Sequence, residues 1–284
     1  MNLSTPLYDT LKQKISKALA RINVPLLQKK NATSAGRPLA LEIIDILTLG
    51  VFRAEHGIET KKDLHDLFAP ACSYKTLVVN LNRFAILILL LVIKLCNENR
   101  IVAHIIKFTD STTIEVCLNK NAAHHKTMNR LAKWGKTRKG WFYGLKLHLT
   151  VDLDKLILSF SFTPGNVDDR SQFEKLNEFL AGIFVADAGY VSKAMAARFY
   201  KESVRILFTK PLRKMKKMAT KTQNELYTSR AKIESVFREL KMFDGLVSSL
   251  PRSVDGYFAH YFYALASFML RGAERETASP MLLN

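Results

Sequence analysis

The stretch WFYGLKLHLTVDLDKLILSFSF, residues 141–162, decides the fold. From Phe142 to Val151 apolar side chains alternate with Tyr143, Lys146, His148 and Thr150, the period-two signal of a half-buried strand. Residues 152–154, DLD, supply a turn, and 155–162 read as the returning strand of a hairpin. Upstream, IVAHIIKF (101–108) is a β-branched apolar run that ends at Thr109-Asp110. Downstream come a helix over 168–180, a short buried strand GIFVAD (182–187), a helix over 191–200 and a strand RILFTK (205–210). A basic loop (211–223), a helix YTSRAKIESVFRELK (227–241) and an amphipathic segment (257–270) follow. Strands paired locally and strands separated by helices together predict an α/β fold with a mixed sheet and helices on both faces.

The first hundred residues differ in character. Helices are expected over 7–20, over 38–54 after the Arg37-Pro38 break, over 60–69 and over 76–97, with Thr60 and Asp63 placed to cap the third. The expected division is a helical region over 1–100, a sheet-based domain over 101–275 and a tail over 276–284.

The 284 residues are 48% hydrophobic and 10% aromatic, which excludes a disordered chain. A net charge of +18 predicts a polyanionic partner, nucleic acid before an anionic membrane. Cys72, Cys96 and Cys117 lie far apart with no CxxC spacing, which argues against a zinc knuckle or a disulfide framework and fits a reducing cytoplasm. The N-terminus lacks the apolar centre of a signal peptide. The apolar run 84–96 contains Lys94 and falls short of the roughly 20 residues that span a bilayer, so it is expected to be a buried helix. Residues 119–146 hold eight Lys or Arg and no acid, interleaved with Trp134, Trp141 and Phe142. Such a segment neutralises phosphates while its aromatics stack on bases, and Lys136, Arg138, Lys139 and Trp134 are the expected DNA contacts. The basic loop 211–217 is expected to track DNA backbone. His124-His125 has no third ligand nearby in sequence, and Asp168-Asp169 reads as the start of a helix.

Three carboxylates stand out. Asp110 and Asp187 each end an expected strand, where an acid either caps the following turn or faces its neighbour across the sheet to hold a cation. If 227–241 is one helix, rotation of about 100° per residue puts Tyr227, Arg230, Glu234 and Lys241 within a stripe about 60° wide. Ile233, Val236, Phe237 and Leu240 form the apolar stripe beside it. Two aspartates from strands and a glutamate from a later helix match the ligand set of a pair of Mg²⁺ ions, and hard carboxylate oxygens suit Mg²⁺ or Mn²⁺ over zinc.

The residues Tyr227, Arg230, Glu234 and Lys241 fit the Y-x2-R-x3-E-x6-K signature of DDE transposases of bacterial insertion sequences, and the chain resembles that family from about residue 37 to 270. FTDSTTIEVC, WFYGLKLHLTVD, TPGNVDDR and VADAGY resemble its other blocks, in order. The chain departs from the family at Thr113, where Pro is usual, and at Ala188, where Lys is usual. The resemblance implies an RNase H-like core and a metal-binding catalytic triad of Asp110, Asp187 and Glu234. It implies Tyr227, Arg230 and Lys241 on DNA phosphates, and cleavage of element ends with transfer of the freed 3′-hydroxyl. Two Mg²⁺ ions, replaceable by Mn²⁺, are the expected cofactors. Double-stranded DNA is the expected partner, bound by a homodimer in the nucleoid-associated cytoplasm, with no membrane and no small-molecule substrate. The rival readings are an RNase H-like nuclease without strand transfer and a catalytically decayed DNA-binding protein.

Overall fold

The computed structural model describes residues 5–22, 39–187, 193–202, 205–209, 220–247 and 251–277. The chain forms two compact units: residues 1–95 with 239–284, and residues 96–238.

The first unit is helical. Helix α1 (Pro6–Ala20) starts where Thr5 accepts a hydrogen bond from the Tyr8 amide, and Tyr8, Leu11, Ile15 and Leu19 form its buried face. The Tyr8 hydroxyl donates to Asp45 Oδ1 at 2.8 Å, tying α1 to α2 (Ile43–Glu55). Helix α3 (Lys61–Phe68) carries the expected cap, a reciprocal box between Thr60 and Asp63. The single helix expected over 76–97 is instead two, α4 (Tyr74–Arg83) and α5 (Ala85–Val102), with a turn at Phe84. The stretch Tyr74–Val102 is long and apolar enough to cross a membrane by length and composition. It is half buried: Leu87, Ile88, Leu91 and Val92 are covered, whereas Ile86, Leu90 and Ile93 are exposed. Helix α10 (Val254–Thr277) packs on α2 and α4, so the end of the chain groups with its beginning. Its Tyr263 hydroxyl donates to the Leu81 carbonyl, and its His260 meets the Arg53 guanidinium. The Arg37-Pro38 break lies outside the described residues.

The second unit holds the sheet: β1 (Ile106–Glu115), β2 (Lys133–Thr137), β3 (Gly140–Asp152), β4 (Ile157–Pro164), β5 (Gly182–Ala186) and β6 (Arg205–Thr209). The path through it is β2-β3-β1-β5-β6, with β4 also paired to β3. The β1–β3 and β3–β4 pairs are antiparallel, and β1–β5 and β5–β6 are parallel, so the sheet is mixed as expected. The β3–β4 turn is built by Asp152, fully buried, whose carboxylate accepts from the amides of His104, Asp154 and Leu156. The bond to His104 also sets the chain's entry into β1. Helices α6 (Asp169–Leu176, capped by Asp168) and α7 (Lys193–Glu202) cover one sheet face. Phe173 of α6 and Phe199 of α7 pack there against Phe184 of β5. Helices α8 (Lys221–Thr228) and α9 (Ala231–Met242) follow β6.

Two strands differ from expectation. Residues 101–102 finish helix α5, and β1 begins only at Ile106 but continues to Glu115, because Ser111, Thr112 and Thr113 keep pairing with β3. Strand β2, KWGKT, lies within the basic segment 119–146, where no strand is expected before residue 142. It is five residues long, contains Gly135 and lacks apolar alternation, so its strand character comes from pairing with β3.

Two buried histidines make both units sensitive to acid. His148 lies 1% exposed with Nε2 2.8 Å from the Thr163 hydroxyl, and burial lowers its pKa to about 4. Burial and the neighbouring Arg53 charge lower His260 to about 3. Both are neutral when folded, so their contribution is complete above the unfolded value near 6.5 and is lost as pH falls below it. At pH 5.5 each loses roughly 1.4 kcal/mol. Burial raises the carboxyls of Asp110, Asp152 and Asp244, which acts in the opposite direction. Each histidine is therefore read by difference. Between pH 7.5 and 5.5 the wild type should lose about 1.4 kcal/mol more than its His148→Gln or His260→Gln variant in urea unfolding. Parallel slopes would refute neutral burial.

Candidate active site

The site is built on β1 and β5. Their parallel register pairs Phe108 with Val185 and Thr109 with Ala186, so the next level brings Asp110 beside Asp187 on one face of the sheet. Neighbouring strands lie about 4.8 Å apart. Asp110 is not at a strand end as expected. It lies inside β1, at the level where β5 stops and β1 continues along β3 opposite Leu149. The residues after Asp187 (188–192) lie outside the described residues, and with them the Ala188 position.

The Asp110 side chain is 20% exposed. Its Oδ1 accepts from the Ser111 amide at 2.8 Å, and its Oδ2 accepts from Arg230 Nη1 at 2.9 Å. The other arm of the same guanidinium, Nη2, donates to Glu234 Oε1 at 2.8 Å. Burial raises the Asp110 carboxyl to about 6, and the charges of Asp187 and Asp169 act in the same direction. The Arg230 charge and the Ser111 amide oppose the rise.

The sequence places Arg230 and Glu234 on one continuous helix. The structure breaks that helix: α8 ends at Thr228 and α9 begins at Ala231. The Thr228 and Ser229 hydroxyls donate to the carbonyls of Asn224 and Glu225, four residues back, a bonding pattern that bends helices. The next amides then bond three residues back, Arg230 to Tyr227 and Ile233 to Arg230. Tyr227 therefore lies in the last turn of one helix and Glu234 in the first turn of the next, with Arg230 between the two helices and its guanidinium carbon 5.8 Å from the Tyr227 ring centre. The apolar stripe is as expected: Ile233, Val236, Phe237 and Leu240 are buried. Lys241 lies in the last turn of α9, seven residues beyond Glu234.

The basic hairpin β2–β3 brings a further cation. Arg138 and Lys139 form its tip between paired Thr137 and Gly140, where Gly140 takes φ +126, a backbone conformation that disfavours side chains. Arg138 is highly exposed, and its Nη2 lies 3.8 Å from Asp187 Oδ2. Trp134 pairs with Tyr143 and Lys136 with Trp141, with the Lys136 ammonium 5.6 Å from the Trp141 ring centre. Along β3, residues 141, 143 and 149 share one parity, so these aromatic and basic side chains lie on the sheet face that carries Asp110. Both tryptophans are exposed.

Sequence reasoning missed the polar layer beneath Asp110. On the opposite sheet face Lys146 Nζ donates to Asp169 Oδ1 at 3.0 Å and to the Val167 carbonyl, with His148 3.8 Å from the same carboxylate. Asn177 joins the hydroxyls of Thr109 and Thr150. The signal was present in the alternation of β3, whose polar positions 146, 148 and 150 all fall on that face.

Asp110, Asp187, Glu234, Arg230, Tyr227 and Arg138 are thus brought together through contacts and strand register. Lys136, Lys139 and Trp134 sit on the adjoining hairpin. The described residues contain no group of three or more His, Cys, Asp and Glu gathered as a metal cage. Hard oxygen donors nevertheless fit a divalent cation, and two of the three carboxylates already converge on one positive group.

A mixed sheet with two adjacent aspartates on its central strands and a glutamate on a following helix defines an RNase H-like domain. The family described as "Transposase DDE domain" matches residues 99–253, more than half of the chain, and the chain belongs to that family. Its members are transposases that act on DNA in transposition and recombination, and such domains generally use divalent metals. No curated protein matches the chain.

Proposed function

We propose that this transposase cuts DNA at the ends of an insertion sequence and joins the freed 3′-hydroxyl to target DNA, with Asp110, Asp187 and Glu234 holding two Mg²⁺ ions that Mn²⁺ can replace. The observation that carries this reading is the convergence of Asp110 and Glu234 on a single cation, with Asp187 level with Asp110 on the neighbouring strand. When bound, such ions activate water or a 3′-hydroxyl and stabilise the leaving oxygen of a phosphodiester.

The chain's own residues position the DNA. Arg138, Lys139 and Lys136 neutralise phosphates along the hairpin, and Trp134 presents a flat apolar face beside them. Tyr227, Arg230 and Lys241 hold the backbone near the cut, Arg230 by its two-armed guanidinium. In this reading residues 1–100 recognise the element end, the sheet-bearing part of residues 101–275 performs the chemistry and residues 276–284 are a tail. The protein works as a homodimer on two ends in the nucleoid-associated cytoplasm. The basic loop 211–217, a further expected DNA contact, lies outside the described residues.

The test is a cleavage and joining assay on the element's own end sequence with labelled target DNA. Mg²⁺-dependent cuts should be followed by joined products that vanish when the end carries a 3′-dideoxynucleotide. Cuts without joining would support a nuclease, and DNA binding without cuts would support a decayed copy.

A further inference from the structure

Arg230 stands where the proposed function needs a metal. Its guanidinium spans the gap between Asp110 Oδ2 and Glu234 Oε1 at 2.9 and 2.8 Å, one nitrogen to each carboxylate. The Arg230 and Asp110 side chains are 16% and 20% exposed, so their half of the pairing is shielded from solvent, whereas Glu234 is 57% exposed and open to an incoming ion. A second guanidinium, Arg138, lies 3.8 Å from the third carboxylate, Asp187. Three clustered acids repel one another, and two arginines offset most of that charge.

We propose that Arg230 is an exchangeable counter-cation: it occupies the carboxylates until a DNA phosphate draws it away, and only then do Asp110 and Glu234 take up a divalent ion. A guanidinium cannot lose its proton at any working pH, so it leaves only by moving to another anion. A phosphate oxygen pair offers the same two-armed geometry as the carboxylates. Arg230 sits at the corner between α8 and α9 rather than inside a helix, at the N-terminus of the helix that carries Glu234. Metal and DNA then bind cooperatively, because each removes the obstacle to the other. The inference rests on the reading that Asp110 and Glu234 bind metal.

The test measures Mn²⁺ affinity by the electron paramagnetic resonance signal of the free ion, at fixed ionic strength, with and without a short DNA duplex. In the wild type, DNA should tighten Mn²⁺ binding by about 5–150-fold. Arg230→Gln should bind Mn²⁺ at least about 5-fold more tightly than the wild type without DNA, and its DNA-dependent gain should shrink toward one. Arg230→Lys, which keeps the charge but loses the second arm, should fall between them. Circular dichroism of each variant establishes folding, and Arg230→Lys carries the test if Arg230→Gln does not fold. Unchanged or weaker metal binding in the folded variant, with the DNA effect intact, would overturn the proposal. An Asp110→Asn control separates the two levels. If Mn²⁺ affinity is unaffected by Asp110→Asn, the metal reading itself fails; if it drops while the Arg230 variants bind as wild type, the exchange alone fails.

Discussion

Glu234→Gln should retain DNA binding within about twofold and lose at least about 100-fold in Mg²⁺-dependent strand cleavage, since changes even to the partners of metal ligands cost about 10–100-fold. The substitution is nearly isosteric. Its amide oxygen can still accept from Arg230 Nη2, so the corner between α8 and α9 keeps its bond. What disappears is one negative charge and its affinity for a hard cation. Glu225→Gln in α8 is the control, because it alters an exposed carboxylate beside Lys221. Gel-shift binding and single-turnover cleavage on the same DNA separate the two effects. Cleavage by Glu234→Gln at the wild-type rate would remove Glu234 from the reaction.

Phe184→Ala should destabilise the sheet unit by about 3–5 kcal/mol, the usual cost of removing a buried phenyl ring. Phe184 is fully buried at the centre of a trio. Its ring centre lies 5.1 Å from Phe199 and 6.2 Å from Phe173, with Phe173 and Phe199 5.2 Å apart. The trio is where α6 and α7 meet β5, so no small neighbour can move in to fill the space without shifting a helix. At about 2–4 °C per kcal/mol for a unit of this size, the melting temperature should fall by about 6–20 °C. Phe184→Leu keeps most of the volume and should cost far less. A loss below about 1 kcal/mol for Phe184→Ala would mean the site collapses freely. Because Asp187 follows three residues later, DNA cleavage should decline with the fold in a temperature series rather than at a fixed step.

Much of the architecture was legible in local pattern. The β3–β4 hairpin could be read because each strand alternates and Asp152 begins the turn between them. The Thr60–Asp63 box and the Asp168 cap could be read because capping is a contact within four residues. Features set by distant partners could not. Strand β2 exists through its pairing with β3, and β1 runs past Asp110 because β3 is there to pair with it. The bend between α8 and α9 depends on two hydroxyls turning back onto their own helix, a choice that residue type allows but does not dictate. The candidate acids were found by residue type and position. That Arg230 would lie across two of them was not, because a side chain 120 positions from Asp110 leaves no periodic trace.

The parallel register between β1 and β5 also has a consequence for synthesis. Asp110 and Asp187 become neighbours only after 77 further residues have been made, and Glu234 and Arg230 follow later still. A polypeptide stopped between residues 187 and 229 has the two aspartates without the arginine that spans Asp110 and Glu234 in the finished chain. Every product that stops before residue 234 therefore lacks part of the acidic cluster, and the ability to break DNA, as proposed for it, begins only once Glu234 has been made.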